Sequence, residues 1–175
     1  HIRVVTGASG GMVGAGYYVA ARAEGNGNID PNVVAIDSLD DVAKYLALPD
    51  IPGQFAPWRF RDRGWALEKR WRENAPPMAT RFDSLRSKEQ SGEIPSLIFS
   101  PSSLDDGRRL LVSNLQLSAL TNHRNFSVSA VQFYDLYPAA KITVATVARM
   151  SASFPWVSPA SELPRDKLRR IGDAG

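Results

Sequence analysis

The pentapeptide Gly7-Ala8-Ser9-Gly10-Gly11 constrains this chain more than any other feature, because it places a G-x-S-x-G pattern between a strand and a helix. Residues 2–6 are rich in β-branched side chains and predict a strand, whereas residues 12–21 are mostly small and predict a helix. A strand that turns directly into a helix holds the residue between them in a strained conformation that exposes its side chain. The pattern therefore predicts Ser9 as an exposed nucleophile.

The glycines around Ser9 have predicted roles of their own. At Gly7 and Gly11 we expect a β-carbon to collide with neighbouring backbone, so that only glycine fits. The backbone N–H of Gly10 lies at the positive end of the predicted helix, where it can stabilise the negative oxygen that forms when a carbonyl is attacked. One donor makes an incomplete oxyanion hole, so a second donor must come from elsewhere in the fold.

Composition limits the classes of protein and site that remain. The 175 residues are 43% hydrophobic and carry a net charge of +3, which suits one folded domain and is too little charge to indicate nucleic-acid binding. The absence of Cys excludes disulfides, thiolate metal sites and a cysteine nucleophile. No apolar run approaches the roughly 20 residues of a membrane span, and no signal peptide is visible. Nothing in the composition sets the oligomeric state.

The rest of the sequence alternates between helix-like and strand-like segments. Helices are predicted at residues 38–46, 62–74 and 142–153, and strands at 96–100 and 109–113 around a turn at 105–107. Ser38 is a suitable cap for the first of these helices, and Pro76-Pro77 ends the second. The alternation predicts an α/β fold.

A nucleotide site is an alternative interpretation of the same N-terminus. Its three supporting features are a glycine-rich turn at residues 6–11 resembling that of short-chain dehydrogenases, a possible second strand at 33–37, and the Y-x-x-x-K pair Tyr137 and Lys141. Two residues oppose it. Val13 occupies the position of the family's last glycine, and Pro138 interrupts the helix that should carry the Tyr–Lys pair. We therefore expect Tyr137 and Lys141 to be surface and boundary residues.

The far end of the chain favours hydrolysis. Asp173-Ala174-Gly175 is similar to the Asp-Gly-Gly or Asp-Gly-Ala turn of patatin-like lipid acyl hydrolases, with Ala in the second place. Four internal segments also resemble the bacterial branch of that family, in the family's order: residues 62–68, 95–101, 107–114 and 148–155.

This resemblance implies a three-layer α/β/α domain with a nucleophile elbow and a Ser–Asp dyad. Ser9 would be the nucleophile and Asp173 the general base, with Ala174 and Gly175 completing the turn, and neither a cofactor nor a metal would be needed. The implied substrate is a phospholipid or another acyl-ester lipid, and the implied location is the cytoplasm or a membrane surface of a bacterium. His1 and His123 are the only histidines, and none follows Asp173, which fits a site without a histidine base.

The family's oxyanion loop precedes the nucleophile strand, and this sequence begins after that point. We therefore expect residues 1–175 to form a partial catalytic domain, cut at both ends and weakly active when expressed alone. A non-catalytic lipid-binding domain of the same family is a further alternative.

Tryptophans and basic residues alternate between residues 58 and 72. Such a surface can contact lipid headgroups at a membrane, but acidic neighbours, Glu68 and Glu73 among them, favour a solvated helix face with a tryptophan packing edge.

Overall fold

The computed structural model describes residues 2–7, 9–26, 29–33, 63–103, 107–117 and 130–152. The predicted helix at 38–46 and the predicted turn at 105–106 lie outside these ranges. The described strands are β1 (Val4–Gly7), β2 (Ser96–Phe99), β3 (Arg109–Leu111) and β4 (Ala130–Gln132). The described α-helices are α1 (Ser9–Ala23), α2 (Arg63–Asn74), α3 (Arg86–Ser91), α4 (Phe133–Leu136) and α5 (Val144–Ala152), with short 3-10 helices at Pro31–Val33, Pro76–Ala79 and Phe82–Leu85.

The first two strands form a parallel pair. Val4 lies opposite Ser96 and Gly7 opposite Phe99, so the carboxyl ends of β1 and β2 lie side by side. Parallel neighbours need a crossover between them, and α1 provides its first part, packing against both strands. The predicted strands at 2–6 and 96–100 are thus confirmed, and the described part of the chain is mixed α/β as expected.

The second pair, β3 and β4, is also parallel, with Arg109 opposite Ala130. Antiparallel bridges join the β1–β2 pair to the β3–β4 pair. In one of them, Phe99 and Val112 form two backbone hydrogen bonds with each other, at 3.0 and 2.9 Å. The chain therefore doubles back between β2 and β3, as the turn residues predicted. Strand β4 was not predicted.

The buried core lies between this strand surface and the helices. Its largest fully buried side chains are Phe82, Phe99, Phe133, Met12, Met78, Leu85, Leu97, Val19, Val112, Val144 and Val147. Phe82 and Phe99 meet edge to face, with ring centroids 5.9 Å apart. Gly16 lets α1 come close to α5, since a β-carbon there would lie 3.1 Å from Val144 Cγ1.

Helix α2 has about the predicted length, but one of its charged side chains is buried where an exposed one was predicted. It ends at Asn74, just before Pro76, and Trp71 packs against the core as expected. Glu68, however, is buried rather than solvated. It accepts a hydrogen bond from Thr146 Oγ1 at 2.8 Å and pairs with Arg149 Nε of α5 at 3.1 Å. The expectation of a solvated face is therefore wrong for Glu68, because α5 covers that side of α2 and supplies the partners that make burial of the carboxylate tolerable.

The ends of two helices follow local chemistry. Helix α5 begins at Val144, since Thr143 Oγ1 accepts a hydrogen bond from the backbone N–H of Thr146 at 3.2 Å. Helix α3 ends at Ser91, and the next residue, Gly92, has a φ of 76° that suits glycine and an N–H that donates to the carbonyl of Glu89. No helix in the described ranges is both long and apolar enough to cross a membrane.

Candidate functional site

Ser9 joins β1 to α1 in an unusual backbone conformation. Strand β1 ends at Gly7 and helix α1 begins at Ser9, leaving a single residue between them. The φ of Ser9 is 51°, and it is the one described non-glycine residue with a positive φ. This left-handed conformation costs about 1–2 kcal/mol for a residue with a β-carbon. The strained strand-to-helix turn predicted from the pentapeptide is therefore present.

The surroundings of Ser9 keep it accessible. Gly7, Ser9, Gly10 and Gly11 are all exposed, although Met12 in the next turn is buried in the core. Ser9 thus lies at the carboxyl end of β1, beside the carboxyl end of β2, with the first turn of a 15-residue helix behind it. Open α/β sheets commonly bind their ligands at this edge, in the crevice outside the strand ends.

The first turn of α1, next to Ser9, carries no Asp or Glu. The backbone N–H groups at the start of a helix lack partners within it. A negative charge that develops next to Ser9 would therefore be stabilised by these N–H dipoles, that of Gly10 among them.

The space around the flanking glycines is described only in part. A β-carbon on Gly7 would meet only the flexible side chain of Met12, at 3.4 Å from its Sδ, and no described atom lies within 4 Å of one on Gly10 or Gly11. The predicted clash with neighbouring backbone at Gly7 and Gly11 therefore remains a prediction.

The other predicted site residues lie outside the described ranges. These are Asp173, Ala174 and Gly175. Both histidines, His1 and His123, which were predicted to have no part in the site, also lie outside the described ranges. Among the described residues no hydrogen bond engages the Ser9 hydroxyl, and no group of three or more His, Asp or Glu side chains could hold a metal ion.

The Tyr–Lys pair of the dehydrogenase interpretation does not share a helix. Helix α4 ends at Leu136, and Tyr137, half-buried, stacks obliquely on Phe133 with centroids 5.2 Å apart. Pro138 and Ala139 form a turn, after which Lys141 is exposed. The two side chains are thus boundary and surface residues, as expected.

A buried polar cluster escaped the sequence analysis. Glu89, Ser96 and Asn114 are all at least nine-tenths buried, and Asn114 Nδ2 donates to Glu89 Oε1 at 3.1 Å. Glu89 lies on a six-residue helix between other polar residues, which offers no periodic signal of burial. Asn114 directly follows two buried residues, Val112 and Ser113, so its position at the end of a predicted strand was the one available hint.

Comparison with known proteins found no relative of this chain. No family model, no curated protein and no solved structure matches the chain.

Proposed function

We propose that this chain is a serine acyl hydrolase that cleaves acyl esters of lipids, with Ser9 as the nucleophile. The observation that carries the proposal is the left-handed Ser9 between β1 and α1, exposed at the carboxyl edge of a parallel strand pair. An ordinary loop serine has no reason to retain this strain, whereas a nucleophile gains exposure and proximity to a helix N-terminus from it.

The chemistry proceeds through an acyl-enzyme. Ser9 Oγ attacks the ester carbonyl while a base removes its proton, and the N–H of Gly10 stabilises the oxyanion. The C–O bond to the alcohol then breaks, and the alcohol leaves with that proton. Water, deprotonated by the same base, attacks the acyl-Ser9 carbonyl and releases a fatty acid and free Ser9.

Asp173 is the proposed base, on the strength of the patatin-like resemblance of residues 173–175. The same resemblance supports the three-layer α/β/α arrangement and a phospholipid or related lipid as substrate. The mixed α/β fold with parallel strand pairs is compatible with that arrangement.

Labelling with a fluorophosphonate probe tests the assignment of Ser9. The probe should modify the wild-type chain at Ser9, identified by peptide mass spectrometry, and Ser9→Ala should lose both the label and the hydrolysis of short acyl esters. Ser91→Ala is the matched control, because Ser91 is also exposed but lies in a helix and donates its hydroxyl to the Lys88 carbonyl. Equal labelling or equal hydrolysis by Ser9→Ala would disprove the assignment.

Two further outcomes separate the alternatives. A thermal shift with NAD or NADP would favour the dehydrogenase-like interpretation, even though Tyr137 and Lys141 do not share a helix. Binding to phospholipid vesicles without labelling or hydrolysis would favour a non-catalytic lipid-binding domain.

A further inference from the structure

Glu89 and Asn114 form a buried pair at the end of β2 opposite Ser9. Each residue is 8% exposed. Val112 pairs antiparallel with Phe99, so the chain after β3 runs back towards Ser96 at the start of β2, where helix α3 presents Glu89. The pair therefore joins α3 to the segment after β3.

The orientation of the Asn114 amide is set by its donors. Its Nδ2 donates to the backbone carbonyl of Phe82 at 2.8 Å and to Glu89 Oε1 at 3.1 Å. Both acceptors are oxygen atoms without a hydrogen to donate. If the Asn114 amide were flipped, its Oδ1 would face these two oxygens and both hydrogen bonds would be lost. The amide nitrogen is therefore the atom that faces Phe82 and Glu89.

Two buried oxygen atoms remain without a partner in this pair. They are Glu89 Oε2 and Asn114 Oδ1. Oε2 belongs to the same carboxyl group as the hydrogen-bonded Oε1, and Oδ1 belongs to the same amide group as the hydrogen-bonded Nδ2. As an ionised carboxylate, Glu89 would offer only acceptors, so Asn114 Oδ1 would remain unsatisfied in the protein interior at a cost of about 1–3 kcal/mol. A proton on Glu89 Oε2 supplies a donor for Asn114 Oδ1.

We propose that the folded protein keeps a proton on Glu89 to a higher pH than an exposed glutamate would, and that Oε2 donates this proton to Asn114 Oδ1, closing a two-bond carboxyl–amide ring that makes folding sensitive to pH. The ring satisfies all four polar atoms of the pair and ties α3 to the segment after β3. Loss of the proton leaves a negative charge inside this junction and weakens it.

Burial of the carboxyl favours the neutral form of Glu89. Burial raises the pKa of Glu89 above its ordinary value, against the opposing effects of hydrogen bonds from Asn114 and Ser96 and of the positive charge of Arg86. Tyr134 of α4 also faces this region, and burial raises the pKa of its hydroxyl to about 12, so it is neutral when Glu89 titrates.

The sign of the pH dependence follows from the raised pKa. The folded state holds the Glu89 proton to a higher pH than the unfolded state does, so the stabilisation is complete below the unfolded pKa of about 4.3 and declines as pH rises through the folded pKa. Glu89→Gln should remove this dependence, because its amide donates to Asn114 Oδ1 and accepts from Asn114 Nδ2 at every pH.

Thermal unfolding of the full chain from about pH 4.5 to about pH 8 tests this. The Tm of Glu89→Gln minus that of the wild type should grow by about 3 °C per pH unit until the folded Glu89 ionises. Glu93→Gln is the control, because Glu93 is exposed and pairs with Lys88 at 3.2 Å, and its Tm should follow the wild type. Parallel Tm curves for Glu89→Gln and the wild type would overturn the proposal.

Infrared spectroscopy gives a test that does not depend on the variant's folding. In the wild-type chain the carbonyl band of a protonated carboxylic acid should persist to a higher pH than expected for an ordinary glutamate, whose pKa is about 4.3, and this persistent band should be missing from Glu89→Gln if that variant folds. A wild-type spectrum in which no carboxylic-acid band outlasts that of an ordinary glutamate contradicts the proposal.

Discussion

The backbone of Ser9 gives a prediction at the scale of a single residue. Glycine adopts a positive φ without the cost that a β-carbon imposes, so Ser9→Gly should be more stable than Ser9→Ala by about 1 kcal/mol. Urea unfolding of the two variants, both of which lack the hydroxyl, measures this difference. A Ser9→Gly variant no more stable than Ser9→Ala would show that Ser9 does not hold a left-handed conformation in solution.

Single residues also show where sequence reasoning succeeds and fails. The strain at Ser9 was predictable, because it depends on a strand and a helix that are adjacent in sequence. The burial of Glu68 and Glu89 was not, because it depends on helices and strands distant in sequence that supply Arg149, Thr146 and Asn114 as partners. A charged residue within a polar segment predicts exposure unless such partners are known.

At the scale of elements, α1 offers a matched pair of glycines. Replacing either Gly14 or Gly16 with Ala gains about 0.8–1 kcal/mol of helix propensity. Only at Gly16 would the new β-carbon meet α5 and β2, at 3.1 Å from Val144 Cγ1 and 3.4 Å from Phe99 Cζ, whereas at Gly14 it would meet no described atom within 4 Å. Gly14→Ala should therefore be the more stable variant in chemical denaturation. Equal stabilities would show that α1 does not pack this closely.

The contact between α2 and α5 includes a buried ion pair between Glu68 and Arg149. Glu68→Gln removes a negative charge whose side chain is 11% exposed and weakens its charge-assisted hydrogen bond with Arg149 Nε at 3.1 Å, which should cost about 2 kcal/mol. Glu73→Gln on the same helix removes an exposed partner of Lys69 and should cost about 0.5 kcal/mol or less. Similar losses for the two variants, measured by urea unfolding, would mean that solvent reaches Glu68.

Predicting these elements from the sequence worked where the signal is local. Pro76 and the strand-like residues at 96–100 indicated boundaries that the structure confirms for α2 and β2. Strand β4 is three residues long and is followed immediately by α4, so it has too few alternating positions to be recognised. Its parallel pairing with β3 is a long-range contact that no local pattern encodes.

The whole molecule places its two polar features at opposite ends of the strand surface. Ser9 follows the carboxyl end of β1, whereas the Glu89–Asn114 pair lies towards the start of β2. The first is exposed and can meet a substrate, and the second is buried and contributes to folding. Ionisation of Glu89 should therefore change stability without altering the chemistry proposed at Ser9, which makes the two proposals separable by experiment.

The proposed dyad joins residues from opposite ends of the sequence and gives the last prediction. If Asp173 removes the Ser9 proton directly, Asp173→Asn should lower turnover of acyl esters by about 10³-fold or more, whereas His123→Ala should change it little. The two dyad residues should also act as a unit, so Ser9→Ala with Asp173→Asn should be no less active than Ser9→Ala alone. Turnover in all four variants is measured with one short acyl ester. A large loss in His123→Ala beside a nearly normal Asp173→Asn would replace the dyad with a Ser–His arrangement, because the proton would then pass to the imidazole.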